Sequence, residues 1–135
     1  MKRMGDGLSL ILLAFAGLFF LYQKGYILAD FERVSVSQAY ELLKSEPNGI
    51  VLLDVRTQEE YAHDGKIKGS VLIPLGDLEK NLSKIEKSRD KKILVYCRSG
   101  NRSISASRIL KKHGFNPYNV DDGINQWKKE GLPSL

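Results

Sequence analysis

Cys97 is the only cysteine of the 135-residue chain, and its two sides differ in chemistry. Before it runs Ile93-Leu94-Val95-Tyr96, continuous and apolar; after it come Arg98, Ser99, Gly100, Asn101, Arg102 and Ser103. A lone cysteine is either a small buried hydrophobe or a thiol held ready to react. The residues that follow Cys97 offer no apolar packing. A glycine that permits positive φ, small polar residues and two guanidinium groups suit a loop whose backbone N–H groups converge on an anion. Such surroundings favour thiolate over thiol and make Cys97 the candidate nucleophile. One cysteine excludes an internal disulfide and a Cys-x-x-Cys pair, and His63 and His113 show no ligand spacing, so no metal is expected.

Positioning such a loop takes a strand before it and a helix after it. The apolar pattern of residues 33–135 supplies both repeatedly. "IVLLDV" and "KILVY" are continuous runs that suit strands buried on both faces, "SVLIP" and "NPYNV" are shorter strand candidates, and helical spacing lies between them. Ser35 with Gln38, and Thr57 with Glu60, form capping boxes that open helices. Asp77 is placed to cap "LEKNLSKI". Gly114 stops the helix that follows Cys97, and Ile124 and Trp127 share the inner face of a last helix. Strands alternating with helices predict an α/β domain, a mostly parallel central sheet with helices on both faces. In such sheets ligands bind beyond the carboxyl ends of the strands, the position Cys97 occupies after "KILVY".

The domain is preceded by an apolar segment, residues 1–29, and residues 29–33 read as a short linker. "LSLILLAFAGLFFLY" is uncharged; as a helix its 15 residues are about 22 Å long, and residues 8–28 about 31 Å, against a hydrocarbon core of roughly 30 Å. No Ala-x-Ala site follows the run, which favours a membrane anchor over residues 8–28. The alternatives are a cleaved signal peptide, leaving an exported soluble protein, and a helix buried in the fold. Lys2 and Arg3 lean towards an N-in orientation, with the globular domain outside the cytoplasm. The formal net charge of +5 is modest, and neither basic runs nor aromatic interleaving point to nucleic acid.

Three stretches resemble one family. "CRSGNRS" is similar to the active-site loop of single-domain rhodanese-type sulfurtransferases. "LLDVRTQEEYAHDGKIKGSVLIPL" and "VDDGINQWKKEGLP" resemble two further motifs of that family, in the same order, over roughly residues 33–135. The chain departs from the pattern at Lys66, where histidine is usual, at Ser70 in place of alanine, and at Asp122 in place of the first glycine before Trp127.

The resemblance implies a rhodanese-like fold and a sulfurtransferase that needs no cofactor. Cys97 would take a sulfane sulfur from a small anionic donor such as thiosulfate, or from a persulfide, and pass it to a thiol or cyanide acceptor. Arg98, Ser99, Gly100, Asn101, Arg102 and Ser103 would bind the substrate. Asp54 and Arg56 would support the site, through a hydrogen bond from the loop to Asp54 or a pair between Arg56 and Glu60. Phosphatase-type relatives carry Cys-x5-Arg; Cys97 and Arg102 make the shorter Cys-x4-Arg, which favours sulfur over phosphate. Two other readings stay open: a non-catalytic rhodanese-like binding module at the membrane, and a thiol redox sensor.

Overall fold

The computed structural model describes residues 4–23 and 30–134. An N-terminal helix, α1 (Met4–Gln23), precedes an α/β domain of five strands and four further α-helices. The strands are β1 (Glu32–Val34), β2 (Ile50–Asp54), β3 (Val71–Leu72), β4 (Lys92–Tyr96) and β5 (Asn116–Val120); the helices are α2 (Val36–Ser45), α3 (Gln58–His63), α4 (Asn101–Lys112) and α5 (Gly123–Lys129). The strand order is β1-β5-β4-β2-β3, and every described pairing is parallel.

The alternation of side chains along a strand divides the core in two. Leu53, Ile93, Val95 and Cys97 face α4, against Ala106 and Leu110. Ile50, Leu52, Leu94 and Tyr96 face the opposite layer, against Val36 and Ala39 of α2 and Ile124 and Trp127 of α5. With β4 buried on both faces, its two-residue period places the Cys97 side chain on the α4 side. Trp127 is core: it meets Tyr40 edge to face at 5.8 Å, and its indole N–H donates to Pro133 O at 2.8 Å.

Both capping boxes form. Ser35 Oγ accepts from Gln38 N while Gln38 Oε1 accepts from Ser35 N, and Thr57 with Glu60 repeats the arrangement. Two local expectations are corrected. The segment taken as a linker contributes β1, whose partner is the edge of β5, in the register Glu32 to Tyr118 and Val34 to Val120. Three residues with one apolar side chain carry no period of their own; the open edge of β5 makes them a strand. Asp77 caps no α-helix. The chain there winds into 3-10 turns, Leu75–Asp77 and Glu79–Ser88, with no side-chain cap. The Asn81 amide donates to Asp77 O at 2.8 Å, and Asn81 itself leaves helical geometry at φ −120°, ψ 20°. A short polar side chain bonding back to the backbone in this way competes with the α-helical ladder.

The expected apolar helix forms as α1, but among the described residues no helix is long and apolar enough to cross a membrane. Residues 24–28 of the expected span lie outside the described residues. Leu10, Leu13 and Phe15 of α1 are each about two-thirds exposed. Arg108 of α4 holds the far end of the helix, donating to Tyr22 O and stacking 3.8 Å from the Tyr22 ring centroid.

Candidate active site

Cys97 leaves β4 at the carboxyl edge of the sheet, and the loop to α4 closes around its sulfur. The Gly100 N–H points at Sγ at 3.1 Å, and the thiol lies 3.5 Å from Ser103 Oγ, within reach of a hydrogen bond to it. Gly100 has φ +100°, and a Cβ there would stand 2.9 Å from Asp122 N, so both the conformation and the space call for glycine.

The loop is held from behind by α5. Ile124 N donates to Cys97 O at 2.9 Å and Asn125 N to Arg98 O at 3.1 Å. In a trans peptide the N–H points opposite to its own carbonyl. With these two carbonyls turned to α5, the N–H groups of Arg98 and Ser99 face the other way, into the loop. Gly100 N–H and the first N–H groups of α4, which have no intrahelical acceptors, complete a concave set of donors. Gly123 makes the approach possible: at φ +58°, a Cβ there would stand 2.4 Å from Cys97 O and 2.6 Å from Arg98 O.

Asp54 and Arg56 lie beneath the site and are almost fully buried. Arg56 donates to both Asp54 carboxylate oxygens, at 2.8 to 3.1 Å, and reaches Gly65 O at 2.7 Å. Burial disfavours the guanidinium charge, but the hydrogen bonds and charge of Asp54 outweigh it and hold the Arg56 pKa above its ordinary value. Tyr96 completes this layer, donating to Ser70 Oγ at 3.1 Å and accepting from Ile67 N at 3.2 Å. Burial pushes its phenol pKa up. The hydroxyl of Ser70, where the family has alanine, thus satisfies a buried phenol.

Glu60 pairs with Arg102, not with Arg56. Arg102 makes a bidentate fork on the Glu60 carboxylate at 2.7 and 2.8 Å. That contact, together with Thr57 of the capping box, outweighs burial and holds the Glu60 pKa down at about 2. Arg98 is exposed and donates to Asp64 Oδ2 at 3.3 Å. Ser99 and Asn101 are exposed on the loop, and with Gly100 they line a cavity of about 440 Å³ bounded by Arg33, Asp121 and Asp122. Lys66 is half-buried over the Tyr61 ring at 4.3 Å. Among the described residues no His/Cys/Asp/Glu group could hold a metal ion.

Cys97 is thus 1% exposed, its sulfur receives the Gly100 N–H, and the loop arginines Arg98 and Arg102 meet Asp64 and Glu60. The sequence reading missed three parts of this. Glu60 shows in sequence as a capping residue and as an expected partner of Arg56, with no sign of its pairing with Arg102. Asp64 has no local signal. Gly123 shows only as a glycine before a helix, although a glycine flanked by Asp122 and a periodic run marks a turn that something approaches closely.

Comparison with known proteins shows the family and the fold. The family model described as "Rhodanese-like domain" matches residues 35–130. The protein named "Putative sulfurtransferase YtwF" of Bacillus subtilis (strain 168) is 32% identical over 104 residues, which are 77% of this chain and 97% of that protein. A protein named "Sulfurtransferase" from Allochromatium vinosum is 34% identical over 90 residues, 66% of this chain and 81% of that one. The crystal structure of a rhodanese-related protein from Thermoplasma volcanium superposes with a TM-score of 0.69 at 34% identity, covering 78% of this chain and 98% of that one.

Two outcomes follow from the geometry. Gly123→Ala forces α5 away from the loop; it should lower stability by about 2 kcal/mol in urea unfolding and speed amide exchange of Ile124 and Asn125 by roughly tenfold. Unchanged exchange at both amides would show that the contact does not hold the loop. Glu60 has a folded pKa of about 2 against an ordinary 4.5, so its stabilisation is complete above the unfolded value and is lost as pH falls from there through the folded value. Allowing for screening at the partly exposed Arg102, that amounts to about 2 kcal/mol. Glu60→Gln should flatten the acid limb of stability against pH, measured by urea midpoints between roughly pH 5 and 2.

Proposed function

Because the chain belongs to the rhodanese-like domain family, we propose that it is a sulfurtransferase in which Cys97 carries a sulfane sulfur as a persulfide. The observation that carries this reading is the Gly100 N–H aimed at Cys97 Sγ at 3.1 Å, within a loop whose carbonyls are turned out to α5. The Cys97 thiolate attacks the outer sulfur of a donor, thiosulfate or a persulfide. A sulfur–sulfur bond forms at Cys97 as the donor's own bond to that sulfur breaks, and the leaving group departs with the electron pair. The N–H groups of the loop stabilise negative charge on sulfur before and after the transfer. The added atom lies about 2 Å from Sγ. A thiol or cyanide then attacks the outer sulfur and restores the Cys97 thiolate, so one transfer becomes two displacements. The residues of the chain suffice for both steps.

We also infer that residues 8–28 hold the protein at a membrane, with the domain outside the cytoplasm. The support is the exposure of α1: Leu10, Ile11, Leu12, Phe15 and Phe19 are all more than half exposed, a run of apolar surface that water disfavours. Lys2 and Arg3 precede the apolar run and favour the N-in orientation.

Intact mass spectrometry tests the first reading. Incubation with thiosulfate or a small persulfide should add one sulfur, about 32 Da, to the wild-type protein; cyanide or thiol should remove it, and Cys97→Ser should abolish the gain. No gain with any sulfane donor would leave a binding module or a redox sensor as the better account. Sealed vesicles test the second. The full chain should sediment with membranes after alkaline washing and be digested only from the extracytoplasmic side. A protein found soluble, or cut only from the cytoplasmic side, contradicts that placement.

A further inference from the structure

We infer that Arg98 and Lys128 form a carboxylate-binding site beside the Cys97 loop, and that the thiol which takes sulfur from Cys97 carries a carboxylate; the inference rests on the sulfurtransferase reading and deepens it. Cys97 is 1% exposed, so only the reacting sulfur of an acceptor meets it. The acceptor thiolate attacks the outer sulfur of the Cys97 persulfide. The sulfur–sulfur bond at Cys97 breaks, its electron pair returns to Cys97 as thiolate, and the product leaves as R–S–SH. During that exchange the body R rests on the residues around the loop. What those residues offer decides which R is favoured.

Three cations stand there, and they are not equivalent. Arg102 is closed, with both ends of its fork on Glu60 at 2.7 and 2.8 Å. Arg98, the residue after Cys97, has a side chain 57% exposed and one hydrogen bond, to Asp64 Oδ2 at 3.3 Å. An exposed pair held by one long bond is weak and yields to a competing carboxylate. Lys128 is exposed, donates to the carbonyl oxygen of Asp64, and makes no ion pair among the described residues. Two cations, one from the loop and one from α5, thus gather at Asp64 and share its single carboxylate, which leaves one positive charge over. The Lys128 ammonium, resting on an uncharged carbonyl, keeps further N–H donors, and so does the Arg98 guanidinium. A second carboxylate, brought by the substrate, supplies the charge and the acceptor oxygens that these groups lack.

The backbone ties this pair to the site. Asn125 N donates to Arg98 O at 3.1 Å, and Lys128 follows three residues later, about one turn further along the same side of α5. The contact that turns the loop amides towards the sulfur therefore also places the Lys128 ammonium beside the loop arginine.

The test follows removal of sulfur from preloaded Cys97 in the full chain, by mass, with N-acetylcysteine and with N-acetylcysteine amide, which differ in one carboxylate. Rates are compared at equal thiolate concentration. In the wild type the second-order rate constant should favour the carboxylate by about threefold or more at low ionic strength, and high salt should shrink that preference. Lys128→Gln should lower the carboxylate-to-amide ratio about twofold to fivefold, and Arg98→Gln should lower it as well. Lys111→Gln removes the same charge from the far end of α4 and should leave the ratio unchanged. A wild type that favours the amide, or takes both equally, overturns the inference and leaves the sulfurtransferase reading standing. So does a ratio that Lys128→Gln leaves unchanged, or that Lys111→Gln lowers as much. Failure of every sulfane donor to load Cys97 overturns the sulfurtransferase reading and the inference with it.

Discussion

Two backbone hydrogen bonds, from Ile124 and Asn125 of α5 to the carbonyl oxygens of Cys97 and Arg98, set the geometry of the site. A peptide has two faces, and these contacts decide which one the loop shows to the sulfur. Once the carbonyls are taken up by α5, the amide hydrogens of the next residues turn inward. The donors at the start of α4 then share one centre with them. The packing that permits this is demanding, because a single methyl group at Gly123 would meet both carbonyls. The last helix of the chain is therefore part of the site without offering it a side chain.

Charge around the loop is organised in pairs at two depths. Asp54 and Arg56 form a buried pair under the strand ends, tied through Gly65 to the segment that leads into β3. Breaking such a pair leaves an uncompensated charge in the interior, so its value lies in holding the strand ends in one arrangement. Glu60 and Arg102 form the second pair, between α3 and α4, and join the elements that follow β2 and β4. In the fold the Gly100 N–H meets the sulfur, and each loop arginine also meets a carboxylate, Arg98 at Asp64 and Arg102 at Glu60, which the sequence does not show.

Much of the fold is legible in local pattern. The runs Ile50–Asp54 and Lys92–Tyr96 are long enough and apolar enough to be strands buried on both faces, and the two capping boxes mark their helices by hydrogen bonds that close within three residues. Glu32–Val34 has no such signature, because its strand character comes from the edge of β5, some 86 residues away in the register of Glu32 and Tyr118. The 3-10 winding of Glu79–Ser88 was equally hidden: its apolar spacing is compatible with an α-helix, and the back-bonding of Asn81 to Asp77 settles it otherwise.

The sequence by itself determined the candidate nucleophile, Cys97, and its place. A polar, glycine-containing loop directly after an apolar strand, ahead of a helical run, needs only local information, since strand period, turn chemistry and helix spacing are short-range properties. Tertiary structure alone decided what surrounds that nucleophile. Glu60 lies 42 positions from Arg102, Asp64 34 from Arg98, and Asn125 and Ile124 approach the loop from the far end of the domain. Hydrogen bonds and ion pairs act over a few ångströms in space and leave no periodic trace along the chain. Which carboxylate meets which guanidinium was therefore settled only when the sheet brought the ends of β2, β4 and β5 together.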